Sequence, residues 1–197
     1  MGALRGQIVG GHEAQPHSHP YMAYLKIEGS GCGGFLVAPD WVMTAAHCMA
    51  EHPSALLLIT FSKIPAFSQL TSKVILNDYV KTIPLPKTSS DLPTGTKCVI
   101  AGWGLIDEDE STNKLFETKV SIYSRRKCIL FYPHLNTGMV CAGSFHELKD
   151  SSQGDSGGPL VCNNVAQGIV SFGHDAPPGV YTRISNYLRW IKNTMKK

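Results

Sequence analysis

The stretch KDSSQGDSGGPLVC, residues 149–162, places Ser156 between an aspartate and two glycines. The two glycines indicate a tight turn, which would expose the serine hydroxyl. A serine is a weak nucleophile at neutral pH unless an adjacent base takes its proton and a third group orients that base. The stretch therefore predicts nucleophilic chemistry at Ser156 if two partner residues lie elsewhere in the chain.

The candidate for the base is His47, in TAAHC at 44–48, which follows an apolar run and precedes Cys48. Histidine is the side chain that most often exchanges a proton near neutral pH. A lone histidine is more often structural or solvated than catalytic. We interpret the remaining seven in that way: His12, His17, His19, His52, His134, His146 and His174.

The composition excludes several classes of function. The chain has 197 residues, of which 43% are hydrophobic and 17% charged, as in an ordinary soluble globular protein. The longest apolar run, ALLLI at 55–59, is too short to span a membrane. The net charge of +3 is scattered and no nucleic-acid-binding motif accompanies it, so we predict a solvated surface and no nucleic-acid partner.

Six cysteines, an even number, predict disulfides and an oxidising compartment. Composition alone leaves all fifteen connectivities open. The sequence contains no CxxC pair, so we predict no metal site and no cofactor. Residues 1–7, MGALRGQ, are too short for a signal peptide, and we interpret them as the remnant of a leader.

The spacing of the apolar runs predicts an all-β chain. Short β-branched runs recur between Gly, Pro, Asn and Asp, as in sandwiches and barrels. Only the C-terminus changes period, and it predicts a helix over about 185–195 with Ser185 or Asn186 as its cap. The loosest stretch, 87–97, is interpreted as the connection between two halves.

Four motifs occur in a fixed order: IVGG at 8–11, TAAHC at 44–48, AGWG at 101–104 and GDSGGP at 154–159. Together they resemble the chymotrypsin-like serine proteases, from Ile8 to the end of the chain. The resemblance implies a peptidase domain over 8–197, made of two antiparallel six-stranded β-barrels and a C-terminal α-helix. The first barrel would occupy about 8–90 and the second about 98–184.

The resemblance implies a role for each residue of the serine motif. Ser156 would be the nucleophile, His47 the base, and the N–H groups of Gly154 and Ser156 the oxyanion hole. Asp155 would pair with the ammonium group of Ile8 once residues 1–7 are removed. The chain with its leader is therefore expected to be an inactive precursor.

The substrate pocket is implied by the same resemblance. Asp150, six residues before the serine, would lie at the base of the pocket and favour Arg or Lys side chains. Ser171, Gly173 and Gly179 would line its walls. Ser152 replaces a cysteine that digestive trypsins have, so the alternative that Asp150 is an exposed loop residue without a substrate role stays open.

The cysteines narrow the branch of the family. The resemblance implies the pairs Cys32–Cys48, Cys98–Cys162 and Cys128–Cys141, a set similar to that of granzymes, cathepsin G and mast-cell proteases. That branch implies a secreted or granule-stored monomer that cuts proteins and peptides. Its expected partners are those substrates, serine protease inhibitors and acidic proteoglycans.

The third member of the catalytic triad is not found. The family pattern Asp-Ile/Leu-x-Leu-Leu should precede a segment that is present here as LNDYVKTIPLP, 76–86. A few dozen residues are missing before that segment, and neither Asp78 nor Asp91 matches the position of the aspartate. We therefore expect an incomplete first barrel and a poorly active or inactive chain.

Two classes of function remain. The first is a serine endopeptidase that cuts after Arg or Lys, and the second is a non-catalytic, azurocidin-like protein that binds through a basic surface. Retention of His47, Ser156, Gly154 and Asp150 favours descent from an active enzyme, whereas the missing aspartate favours the second for this chain.

Overall fold

The computed structural model describes residues 11–27, 30–49, 65–104, 113–144, 155–172 and 178–196. Within them, no helix is long and apolar enough to cross a bilayer. The described residues form two antiparallel sheets and short helical segments.

The first sheet has four strands in the described residues. They follow one another as a meander in the order β2-β3-β4-β5, and their bounds are β2 Met22–Ile27, β3 Ser30–Ala38, β4 Trp41–Ala45 and β5 Pro65–Gln69. All five residues of β4 are buried, and Phe35 of β3 and Met43 of β4 are fully inaccessible to solvent. This sheet therefore has a core even though the described strands do not close it.

The second sheet closes into a barrel. Its strands are β1 His12–Glu13, β6 Lys97–Gly102, β7 Phe116–Ile122, β8 Met139–Gly143, β9 Pro159–Cys162, β10 Val165–Phe172 and β11 Gly179–Arg183. The order is β1-β7-β6-β9-β10-β11-β8, and a further pairing of β7 with β8 closes six of these strands. A closed sheet leaves no unpaired edge, which stabilises this half. The short β1 pairs with the first two residues of β7, whereas β8 pairs with the last two.

The prediction of an all-β chain with two antiparallel units is confirmed. The second unit is the closed six-stranded barrel, and the first is a four-stranded sheet in the described residues. After β5 the chain runs from 70 to 96 without a strand. In this stretch Ile75 is 85% exposed, Leu76 45% and Tyr79 63%, so several large apolar side chains are uncovered.

The C-terminal helix is confirmed, but its predicted cap is wrong. A 3₁₀ turn, Ile184–Tyr187, leads into α2, Leu188–Thr194, and the residue before α2 is Tyr187, which makes no side-chain cap bond. Ser185 lies inside the 3₁₀ turn and is buried. The helical stretch begins at Ile184, one residue before the predicted start, and Ile184 is fully buried among residues of the first sheet and β10.

Two further helical segments flank the strands. A 3₁₀ helix, Ala46–Met49, follows β4 directly. The single-turn α1, Arg125–Cys128, is capped by Ser124, whose side-chain oxygen accepts a hydrogen bond from the backbone N–H of Lys127. Each segment contains one disulfide cysteine, Cys48 in the first and Cys128 in the second.

The structure contains three disulfides, Cys32–Cys48, Cys98–Cys162 and Cys128–Cys141, which are the pairs that the resemblance implied. None of the six cysteines is free. One bridge joins β3 to the 3₁₀ helix after β4, and the other two lie in the second half. Cross-links of this kind restrict the unfolded chain.

The N-terminal segment is fixed to the second barrel by a polar cluster around Glu117 of β7. His12 and His19 each contact one carboxylate oxygen of Glu117, and His19 Nδ1 lies 2.8 Å from the Tyr21 hydroxyl. Burial and the nearby Glu117 carboxylate raise the pKa of Tyr21 from 10.0 to about 12. Two of the histidines assigned structural roles therefore hold β1 and the start of β2 against β7.

Candidate active site

Ser156 lies in a tight turn between the two sheets. The backbone N–H of Gly158 donates to the carbonyl of Asp155 at 3.0 Å, which closes the turn over residues 155–158. Gly157 and Gly158 also exchange hydrogen bonds with Val170 of β10, at 3.1 and 2.9 Å. The turn is thus fixed to the second barrel on one side.

Gly157 is required by both its conformation and its surroundings. Its φ is +86°, a region that side chains other than glycine rarely adopt. A Cβ atom at this position would lie 2.2 Å from Thr44 Oγ1 and 2.3 Å from the Gly33 carbonyl oxygen. The turn therefore packs directly on β3 and β4 of the first sheet, without room for a methyl group.

The first sheet contacts the backbone of Ser156 itself. The N–H of Gly33 donates to the Ser156 carbonyl at 2.8 Å. Cys48 Sγ lies 3.7 Å from the same oxygen, and because Cys48 is in a disulfide this is a packing contact. His47 precedes Cys48 in the same 3₁₀ helix, so the structure brings the segment that carries the histidine against the turn that carries the serine.

The electrostatics of His47 favour its neutral form. Its side chain is partly exposed, yet the surrounding protein removes enough water to lower the pKa of the imidazole below the ordinary 6.5. Burial is the sole cause of that shift. Among the described residues, no carboxylate forms an ion pair or hydrogen bond with this ring.

The two aspartates that the sequence analysis considered for the triad have other partners. Asp78, whose side chain is 94% exposed, forms an ion pair with Lys81 at 3.5 Å. Asp91 pairs with Arg125 at 3.7 Å and with Arg183 at 3.1 Å. Neither arrangement makes these aspartates an orienting group for His47.

Asp155 is buried beside the serine, with 1% of its surface exposed. Its Oδ1 accepts a hydrogen bond from the backbone N–H of Gly104 at 3.0 Å. A Cβ atom on Gly102 would lie 2.0 Å from that oxygen, so the glycine leaves the space that the carboxylate occupies. The motif AGWG thus contributes a glycine that gives room to Asp155 and a glycine that donates to it.

The pocket residues are described only in part. Ser171 lies near the end of β10, where the register with β11 shifts between Val170 and Phe172. Gly179 is buried at the start of β11 and pairs with Ala142 of β8. The other predicted site residues, Ile8, Asp150, Gly154 and Gly173, lie outside the described residues.

One group of potential metal ligands lies at this site. Single ligand atoms of Cys32, His47 and Cys48 lie within 4.8 Å of one another. The two cysteines form a disulfide, so they offer no thiolate to a metal ion. The chemistry of this group does not suit a metal.

Sequence reasoning missed the residues that hold the serine turn against the first sheet. These are Gly33, which donates to Ser156, and Thr44, whose buried hydroxyl donates to the Gly33 carbonyl at 2.8 Å. The paired glycines after Cys32 were the available signal, because adjacent glycines within a strand often mark a close approach of another backbone.

Comparison with known proteins agrees with this geometry. The family model described as Trypsin matches residues 8–63 and 65–191. The chain is 41% identical to mast cell protease 3 of Ovis aries over 227 residues, 98% of this chain and 90% of the relative. It is 38% identical to cathepsin G of Homo sapiens over 229 residues, 99% of this chain and 90% of the relative.

A solved structure is also similar. The fold matches that of neuropsin, a serine protease expressed in the limbic system of mouse brain, with a TM-score of 0.81 and 36% identity. The match covers 94% of this chain and 98% of the neuropsin chain. A matched family model, relatives at this identity and the same fold lead to one conclusion: the chain belongs to the trypsin family of chymotrypsin-like serine proteases.

Proposed function

We propose that the chain is a serine endopeptidase of the granzyme and mast-cell type in which Ser156 is the nucleophile and His47 the base, with hydrolysis weakened by the lack of a triad aspartate. The observation that carries the proposal is the docking of the Ser156 turn on the first sheet. Gly33 bonds to the carbonyl of Ser156, and Cys48, the neighbour of His47, packs on the same oxygen. This contact supports a nucleophile and a base that approach each other across the two sheets.

The weak activity follows from the surroundings of His47. A base that takes a proton from serine becomes an imidazolium, and the triad carboxylate normally stabilises that charge and fixes the tautomer. Here burial lowers the pKa of His47, so the imidazolium is disfavoured before the reaction begins. In the Ser-His-Asp template, replacing the aspartate with asparagine lowers turnover about 10⁴-fold.

The comparisons support missing residues as the origin of this defect. The alignment with mast cell protease 3 has 227 positions, which is 30 more than the 197 residues of the chain. At least that many positions of the relative therefore have no counterpart here. The family match is interrupted at residue 64, within the stretch where the sequence predicted the loss.

Activation and transition-state binding would involve the same turn. The N–H groups of Gly154 and Ser156 would form the oxyanion hole. Removal of residues 1–7 would give Ile8 an ammonium group able to pair with Asp155, whose carboxylate is buried beside the serine and accepts a hydrogen bond from Gly104. We propose that the chain with its leader is the inactive precursor.

The proposed substrate specificity depends on the pocket residues, and the proposed location depends on the granzyme and mast-cell branch of the family. Asp150 would bind Arg or Lys at the base of a pocket lined by Ser171, Gly173 and Gly179. The similarity to cathepsin G and mast cell protease 3 supports a secreted or granule-stored monomer with protein substrates. Serine protease inhibitors and acidic proteoglycans would be its partners.

An active-site phosphonate with an Arg side chain tests the proposal. The chain is folded with intact disulfides, trimmed to begin at Ile8, and read by intact mass. We expect slow labelling of Ser156 that His47→Ala reduces further, no labelling before trimming, and a loss of the preference for Arg over Phe probes in Asp150→Ser.

The outcomes separate the possibilities. Rapid stoichiometric labelling that His47→Ala abolishes would mean that some group does orient the base. No labelling by any probe, even after trimming, would contradict the enzyme and favour the non-catalytic binding protein.

A further inference from the structure

A basic–apolar tip, residues 125–131 with the sequence RRKCILF, projects from the second barrel. Three consecutive large side chains at its end are exposed: Ile129 by 41%, Leu130 by 80% and Phe131 by 45%. Single exposed apolar residues are normal on protein surfaces, whereas contiguous ones mark interaction sites. The tip therefore presents apolar surface to solvent, as interaction sites do.

The tip is held rigidly on both sides. Cys128 is fully buried and bridged to Cys141 of β8, which fixes the end of α1. Tyr132 is 8% exposed, and its hydroxyl donates to the Pro178 carbonyl at 2.8 Å. Between these anchors the backbone N–H groups of Leu130 and Phe131 donate to the carbonyls of Lys127 and Cys128 at 3.2 and 3.0 Å, which orders the segment. A pre-ordered surface of this kind loses little conformational entropy on binding.

The charged residues next to the apolar end of the tip are all positive. Arg126 and Lys127 are exposed and directly precede it. Residues 118–144 contain four Lys or Arg residues and no Asp or Glu. Arg125 is engaged at the base of the tip, where it binds the carbonyls of Asn136 and Met139 and pairs with Asp91. The outward cations are thus available to an external anion.

We propose that the basic–apolar tip docks on the surface of an anionic lipid bilayer. Arg126 and Lys127 would lie at the level of the acidic headgroups, and Leu130, with Ile129 and Phe131, would enter the boundary of the acyl chains. At the surface of an anionic bilayer, negatively charged headgroups lie directly above the apolar acyl chains. This arrangement suits a protein surface on which cations lie next to exposed apolar side chains. A soluble polyanion would use the cations and leave the exposed leucine without a role.

Co-sedimentation of the full chain with vesicles tests the proposal. We expect binding to phosphatidylcholine vesicles that contain phosphatidylserine and much weaker binding to phosphatidylcholine alone. Leu130→Ser should weaken the binding about tenfold, because burial of one leucine side chain contributes about that much to partitioning. Reversal of Arg126 and Lys127 together, each to Glu, should weaken it by more than about 20-fold, since each cation near an anionic leaflet contributes about fivefold.

Ile75→Ser is the matched control, because Ile75 is 85% exposed but lies in a different part of the chain. It should leave vesicle binding unchanged. Insertion is read by tryptophan emission: Leu130→Trp should shift to the blue with phosphatidylserine vesicles, and Ile75→Trp should not.

Three results would overturn the proposal. One is equal binding to vesicles with and without phosphatidylserine, or binding to neither. Another is binding that Leu130→Ser leaves intact while charge reversal or heparin abolishes it, which would show a polyanion site. The third is an equal effect of Ile75→Ser and Leu130→Ser, which would show unspecific adsorption.

Discussion

Replacement of Gly157 by alanine tests whether the serine turn is held by the first sheet. The backbone φ of +86° costs an L-residue about 1–2 kcal/mol. The new Cβ would also lie 2.2 Å from Thr44 Oγ1 and 2.3 Å from the Gly33 carbonyl, and such overpacking costs about 1–3 kcal/mol. We therefore expect Gly157→Ala to lower the free energy of unfolding by about 2–5 kcal/mol.

Gly95→Ala is the control that measures the cost of a positive φ without the cost of overpacking. Gly95 has nearly the same φ, +85°, and no atom lies within 4 Å of the position of its Cβ. Gly95→Ala should therefore lower the free energy of unfolding by only about 1–2 kcal/mol. Urea unfolding measures both losses, and phosphonate labelling should slow only in Gly157→Ala, whose methyl group pushes Ser156 away from Gly33. Equal destabilisation in the two variants would refute the tight contact between the turn and the first sheet.

Three further predictions concern charge. Because the pKa of Tyr21 is about 12 in the folded protein and 10.0 is the ordinary value, the unfolded chain ionises first as pH rises. Stability should fall by up to about 3 kcal/mol between these values, and Tyr21→Phe should remove that loss in thermal unfolding scans. Because the pKa of His47 is lowered, the labelling rate of the trimmed chain should begin to fall only below pH 6.5, and a break above it would contradict the shift. Insertion of the missing segment from a relative, with its aspartate, should raise the labelling rate at least about tenfold, whereas the same segment with asparagine in place of the aspartate should not.

The sequence predicted those parts of the molecule that rest on local pattern. Short β-branched runs between turn residues predicted the strands, and the change of period after about residue 185 predicted the C-terminal helix, because both signals lie in neighbouring residues. The cap was wrong because the burial of Ile184, a tertiary contact, outweighed the local preference of Ser185. Helix ends depend on packing that no short window contains.

The parts that could not be predicted are contacts between distant backbones. Gly33 and Ser156 are far apart in sequence, and no residue near either of them indicates that their backbones form a hydrogen bond. The same holds for Glu117, which the sequence did not single out and which lies between His12 and His19. Motifs indicated which residues matter for chemistry, whereas the fold determined which of them meet.

The two halves of the molecule should differ in stability, and this difference bears directly on the proposed site. The second barrel is closed by the pairing of β7 with β8 and contains two of the three disulfides. The first sheet has four described strands and one disulfide, and the chain that follows it leaves Ile75 85% exposed. Apolar surface left in water contributes nothing to the free energy of folding, so the first half should open more readily.

Amide hydrogen exchange measures that difference strand by strand. We expect β2 and β5 to exchange faster than β6 and β9, because the former are the outer two of the four described strands of the first sheet. Such opening would move the 3₁₀ helix that carries His47 away from the Ser156 turn, while the turn itself stays bonded to Val170. The base would then be displaced in a fraction of molecules even if a carboxylate were restored. Uniform protection across both halves would contradict this reasoning and leave the missing carboxylate alone to account for the proposed weak activity.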